Sequence, residues 1–259
     1  TAYDIYQCDW SSDVCSSDLL DFLKSAQNKR ETYPGTWLPD AVPASYQIWD
    51  SLAAIDLPDK NILLAESLTT SFLLLIQRLS PEERVVYLLS EVFDYSFKEI
   101  SGFLNKSEDA CRKIAQRARE AVISNRPRFK TGEDAENMIA KFFATAKAGD
   151  SEGLIDLLAA ESEFWSDGGG KVSAASRVLK HPSQIASFFI YLGKVAALED
   201  NKVQFVKVNA RPGVILSKTL PDGESVVETI MTFEFVDGKI ARVFAQRNPD
   251  KLNIVRQLI

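Results

Sequence analysis

Apolar positions recur at helical spacing through residues 85–122 and at strand spacing after residue 200, which predicts a helical part followed by a mixed one. Val85, Tyr87, Leu88, Leu89 and Val92 give a wide apolar face to a first helix. Ser80 is placed to cap it, Pro81 suits its first position, and Glu82 and Glu83 put negative charge at the positive end of its dipole. Asp94-Tyr95-Ser96 interrupts the pattern. A short helix from Ser96 then carries Phe97, Ile100, Phe103 and Leu104, and Asn105-Lys106 reads as a turn. Ser107 caps the next helix, in which Ala110, Ile114, Ala118 and Val122 are expected to form the buried stripe.

The pattern changes class after Arg126-Pro127-Arg128. Ala135 to Ala148 is an amphipathic helix with Met138, Ile139, Phe142, Phe143 and Ala146 inward, Gly149-Asp150 breaks it, and Leu154 to Leu158 forms another. Strands are expected at Val203–Val208, Val214–Lys218, Val226–Val236 and Ile240–Gln246, the third with Val227, Thr229, Met231, Phe233 and Phe235 on one side. Asp237-Gly238 is a type I′ hairpin signal. Helices on one face of a curved antiparallel sheet make an α+β architecture. Ahead of the helical part, Pro34 to Lys60 holds four prolines and no long apolar period, and reads as a linker.

Charge sharpens the picture locally. The chain carries a net charge of -6, yet from Cys111 to Lys130 seven basic residues face one acidic residue, Glu120. Asp109, Arg112, Lys113, Gln116, Arg117 and Arg119 lie opposite the apolar stripe on a helix that follows a tight turn. That is the layout of a helix-turn-helix DNA reader, since guanidinium and amide groups match guanine and adenine edges in the major groove. An ordinary helical hairpin with a solvated charged face would show the same spacing.

Trp10-Ser-Ser-Asp-Val-Cys-Ser-Ser-Asp-Leu19 reads as the translation of a short-read library adapter, so residues 1–19 are set aside as an artefact; the alternative is a polar Ser/Asp-rich leader. Of three cysteines, Cys8 and Cys15 fall in that stretch, leaving Cys111, so no disulfide framework, metal cluster or cofactor motif is read, and a reducing cytoplasm is expected. No run approaches the about 18 apolar residues of a membrane helix, so no membrane association is expected. The roughly 240 residues left, in a chain that is 46% hydrophobic, suffice for two modest cores.

Several strings together resemble a family. Ile62 to Arg126 is similar to region 4 of an extracytoplasmic-function sigma factor, on Arg78-Leu-Ser-Pro-Glu-Glu-Arg84 and Phe93-Asp-Tyr-Ser-Phe-Lys-Glu-Ile100. Tyr33-Pro-Gly-Thr-Trp37-Leu38-Pro39, Asp167-Gly168-Gly169-Gly170-Lys171 and Asn248-Pro249-Asp250-Lys251-Leu252 narrow the resemblance to sigma factors of the SigJ-like kind, with a fused SnoaL-like (NTF2-like) cone. The resemblance covers roughly Leu20 to Leu252 and implies four parts. These are residues 1–19 as the artefact, 20–60 as the end of sigma region 2 and the linker, 61–126 as region 4, and 127–259 as the SnoaL-like domain.

Nearly all of region 2 is then expected to be missing, and the chain as given is not expected to start transcription. The implied partners are RNA polymerase core and promoter DNA, with region 4 reading the minus-35 element and the cone regulating in cis. Ser107, Asp109, Arg112, Lys113, Gln116, Arg117 and Arg119 are the expected DNA-facing residues. The three narrowing strings, from Trp37 to Pro39, Asp167 to Lys171 and Asn248 to Leu252, are the implied regulatory contacts.

Two other classes stay open. The cone could hold a small-molecule ligand in a one-component transcription regulator, or it could be an enzyme with a helical appendage in which Asp167 and His181 do acid-base work beside Glu163 or Glu228. His181, before Pro182 and the helix Gln184 to Ala197, also has a plain capping or exposed reading. Asp167 to Lys171 lacks the following helix of a phosphate-binding loop, and so reads otherwise as a strand connection. Trp37 and Trp165 suit an interface anchor or core filling. The expectation is no enzyme.

Overall fold

The computed structural model describes residues 33–43, 69–125, 135–196, 201–209 and 211–256. Expectations for the adapter-like stretch, the region 2 helix from Leu20 to Glu31, linker residues 44–60 and the basic residues Arg126, Arg128 and Lys130 lie outside them. The chain divides into two compact units; the described residues of the first are 72–125, and the remainder belong to the second.

The first unit is helical. Helix α1 (Thr70–Ile76) enters it, with Thr70 and Ser71 grouped in the second unit, and α2 (Pro81–Tyr87), α3 (Phe97–Leu104) and α4 (Glu108–Asn125) follow. Ser80 caps α2 as expected, in a full capping box with Glu83, and Ser107 caps α4 by accepting from the Ala110 N–H at 3.2 Å; Ser96, expected only as a helix start, forms a second capping box with Glu99, whose carboxyl those bonds hold below its ordinary range. After Tyr87 the helix widens into a π segment, Leu88–Val92, before Asp94 turns left-handed at φ 57°. Asn105 makes the expected turn at φ 51°. The buried stripe of α4 differs from the expected one: Cys111, Ile114, Ala115, Ala118 and Val122 are buried, whereas Ala110 is half-exposed. The stripe is wider because α4 packs against two clusters, one around Phe72, Leu75 and Tyr87 and the other around Val86 and Ile100.

Arg84 was missed by the apolar pattern. It is buried, and its guanidinium donates to the carbonyls of Ile76, Gln77 and Leu79, satisfying the chain end of α1.

The second unit is an α+β cone. Helices α5 (Ala135–Ala148) and α6 (Ser151–Leu157) precede strand β1 (Leu158–Asp167), the short β2 (Leu179–Lys180) and α7 (Pro182–Ala196). Strands β3 (Asn201–Val208), β4 (Arg211–Thr219), β5 (Ser225–Val236) and β6 (Lys239–Gln246) and helix α8 (Pro249–Arg256) complete it. The sheet order is β2-β1-β6-β5-β4-β3.

The sheet is mixed rather than all antiparallel, because β1 runs parallel to β6 while its other neighbours are antiparallel. Strand β1 was not expected at all: its first residues, Leu-Ala-Ala-Glu, carry no alternation, and its register shifts between Leu158 and Glu163. Asp237 and Gly238 both take positive φ, as a type I′ hairpin requires.

One sheet face packs on α5, α6 and α7. Phe142, Phe164, Phe189 and Phe233 interlock there, with Phe142 and Phe189 centred 4.7 Å apart and edge to face. The opposite face is covered by α8, whose Leu252 and Val255 pack on Val208, Ile215, Val227 and Ile230, with Ala41, in the strap formed by residues 33–43, at the rim.

Candidate functional site

Strand alternation puts Glu163, Trp165 and Asp167 of β1 on the α8 side of the sheet. Asp167 ends that strand with no exposed surface, and the segment Tyr33–Pro39 lies across it. Its Oδ1 accepts from the Tyr33 hydroxyl at 2.7 Å and from the Gly169 N–H at 3.0 Å. Its Oδ2 accepts from the Leu38 N–H at 3.0 Å and from Lys251 Nζ at 2.8 Å. A buried carboxylate is stable only when paired and hydrogen-bonded, and here both conditions are met.

Lys251 completes the clasp. Its ammonium also donates to the Leu38 carbonyl and stands 4.3 Å from the Trp37 ring centre and 5.3 Å from that of Tyr33. Gln246 donates to the Pro39 carbonyl at 3.3 Å, and Asn248 donates to the Tyr33 hydroxyl at 2.6 Å. Burial, then the bond to Asp167, pushes the Tyr33 phenol well above its ordinary value.

The glycines are required by close approach. A Cβ on Gly170 (φ 70°) would come 2.5 Å from Pro34 Cγ, and one on Gly169 (φ 62°) 2.5 Å from Asn248 Cγ. Gly168 faces the Val172 carbonyl in the same way.

All three strings thus meet at one place in the second unit. Leu38 is 1% exposed, Trp37 half-buried, and Lys171 pairs with Asp250 at 2.6 Å on the exposed rim. Asn248 to Leu252 opens α8: Asn248 caps it through the Asp250 N–H, Pro249 takes the first position, and Leu252 is core.

On the first unit, Ser107, Asp109, Arg112, Lys113, Gln116 and Arg117 are exposed on α4 or at its cap. Arg112 is held by Glu108 at 2.8 Å and Asp109 at 3.0 Å and lies over the Phe97 ring; Gln116 donates to Glu120. Exposed pairs of this kind are weak and exchange readily for a phosphate or a base. Arg119 is exposed too; its guanidinium pairs with Glu91 at 2.5 Å, and that bond holds its proton more tightly.

The family model described as Sigma-70, region 4 matches residues 69–122. The chain is 32% identical over 251 residues to the ECF RNA polymerase sigma factor SigJ of Mycobacterium tuberculosis (strain ATCC 25618 / H37Rv), covering 93% of this chain and 77% of that protein. This chain belongs to the extracytoplasmic-function RNA polymerase sigma factors. The crystal structure of Mycobacterium tuberculosis SigJ superposes with a TM-score of 0.66 at 29% identity, covering 90% of this chain and 78% of that one. The probable ECF RNA polymerase sigma factor SigI of the same species is 27% identical over 150 residues, 58% of this chain and 49% of that protein.

As a sigma factor it works with RNA polymerase core and promoter DNA, and it is not an enzyme. Asp167 is spent on the strap, and His181 is exposed at φ 75° ahead of α7. Glu163 is bound to Arg242 at 3.2 Å and to the Trp165 indole N–H at 3.3 Å. Among the described residues no group of three or more His, Cys, Asp or Glu could hold a metal, and no helix is long and apolar enough to cross a membrane.

Sequence reasoning missed a second buried carboxylate. Glu234 on β5 is fully buried and accepts the Ser71 hydroxyl at 2.5 Å and its N–H at 3.4 Å, while Arg242 donates to the same hydroxyl at 2.9 Å. Burial raises its pKa against the opposing pull of that hydroxyl bond, Arg242 and Arg211. Its signal in the sequence was a charge between two aromatics in a strand, Phe233-Glu234-Phe235.

Proposed function

We propose that the SnoaL-like domain of this sigma factor regulates promoter engagement in cis by holding the linker strap, while the exposed face of α4 reads the minus-35 element, in the cytoplasm. The clasp at Asp167 carries the reading. A carboxylate with no exposed surface takes two donors from the strap and a third from the last helix, so holding the strap and completing the domain are one event. On α4, Arg112, Lys113, Gln116 and Arg117 offer the donors that base edges and phosphates accept. The interlocked Phe rings between the helices and the sheet favour a protein segment over a small molecule as the domain's ligand.

The test is promoter output with RNA polymerase core, in a protein with a sigma region 2 joined ahead of Leu20. Gly170→Val sets a side chain against Pro34, and the expected change in output at equal protein level is about 5- to 150-fold, the size of ordinary allosteric coupling. Output equal to the parent's would remove the strap from the regulatory reading.

A further inference from the structure

Asn209 stands between β3 and β4 at φ 48°, a left-handed conformation that asparagine tolerates better than most residues. It is 3% exposed. Its Oδ1 accepts from the Val42 N–H at 3.0 Å, and its Nδ2 donates to the Asp40 carbonyl at 3.1 Å and to Thr70 Oγ1 at 3.1 Å. Its own N–H donates to the Val42 carbonyl at 3.0 Å, and neighbouring Val208 bridges to Pro43. The Val42 N–H can only donate and the Asp40 carbonyl can only accept, so one amide orientation satisfies both.

These partners are far apart in the chain. Asp40 and Val42 lie just before residues 44–68, and Thr70 lies just after them. One residue further, Ser71 is bonded through its N–H and hydroxyl to Glu234.

We propose that Asn209 is a positioning residue that staples both ends of residues 44–68 to one point on the C-terminal domain. The separation of residues 40–43 from the start of α1 is then fixed where the amide joins them, beside the Pro43–Val208 bridge and the Ser71–Glu234 bonds, and not by the length of the intervening chain. Glu234 reinforces the second end through Ser71. The length of residues 44–68 enters only through loop closure, whose cost grows with the logarithm of length. An aspartate could not replace Asn209, because a carboxylate would face the Asp40 carbonyl with no proton to give. The staple rests on its own contacts and does not require the Asp167 clasp to be regulatory.

Hydrogen exchange read by mass spectrometry on the 259-residue chain tests it. Asn209→Ala is expected to speed exchange at least about tenfold in peptides covering both residues 40–43 and residues 69–71, the range by which loss of one buried hydrogen-bonded anchor opens a local segment. Peptides over β5 and β6 should keep the parent's protection. Thr70→Val, which removes only the second-end partner, should affect residues 69–71 alone. A flexible Gly/Ser insertion after Ile55 should change neither flank in the parent, but should loosen both further in Asn209→Ala. The proposal is overturned if Asn209→Ala releases one flank only or none, or if the insertion alone releases both. Should Asn209→Ala also strip protection from β5 and β6, the other two arms decide: it stands if Thr70→Val acts on residues 69–71 and the insertion on neither flank, and falls otherwise.

Discussion

Two buried carboxylates, Asp167 and Glu234, have different surroundings. Asp167 has an ammonium and four neutral donors, from Tyr33, Leu38, Gly169 and, at 3.5 Å, Gln246. Removing the charge from one member of a buried pair leaves the other uncompensated, so Asp167→Asn should cost about 3–5 kcal/mol, read as a lower denaturant midpoint with an unchanged slope. Tyr33→Phe deletes one neutral donor and should cost nearer about 1 kcal/mol. Glu234 is bonded to Ser71, whose hydroxyl also accepts from Arg242, and Arg242 and Arg211 act on its charge against the effect of burial. Its folded pKa is raised, so between the ordinary glutamate value of 4.5 and the raised value the folded chain keeps a proton that the unfolded chain has lost. Its contribution is fully present below the ordinary value and declines as pH rises through the folded one. Glu234→Gln should flatten that decline in a series of denaturation curves from pH 4.5 upward; an unchanged pH slope would refute the assignment.

The helices of the first unit are defined at their ends. Ser80 and Ser96 each close a capping box, and Ser80→Ala or Ser96→Ala should lower stability by about 0.5–2 kcal/mol in thermal unfolding. Helix α4 has Arg112 and Arg117 on its exposed side and its packing residues on the other, so both can be removed without opening the core. Arg112→Ala with Arg117→Ala should relax discrimination at the base pairs they contact by about 1–3 kcal/mol per bidentate contact, measured on a panel of single-base promoter variants. Promoter selection identical to the parent's would show that α4 does not read bases through them. Arg119, tied to Glu91, is expected to contribute less than either.

For the whole molecule, the strap is part of the C-terminal unit although it precedes the helix-turn-helix in sequence. Contacts at its rim and at its centre should differ accordingly. Lys171→Ala breaks an exposed pair worth at most about 1 kcal/mol and should leave promoter output within about twofold of the parent. Lys251→Met removes the ammonium beside Asp167 and should move output in the same direction as Gly170→Val. If Lys171→Ala and Lys251→Met act alike in the same promoter assay, the buried clasp has no privileged part in regulation.

Cap residues, helical period, the basic face of α4, the hairpin at Asp237-Gly238 and the three strings around Trp37, Asp167 and Lys251 were all legible in the sequence. Each depends on neighbours within a few residues or on a recognisable short string. Strand β1 was not legible, because its pairing partner β6 lies some eighty residues on and its own first residues have no alternation. The same holds for the wider stripe of α4, the pairing of Arg119 with Glu91, the helix begun at Asn248 and the buried bonds of Glu234 and Asn209. Local sequence sets which conformations and which polar groups are available; only packing across long separations decides which groups lose water, and a buried polar group must then find its partner wherever the fold has brought one.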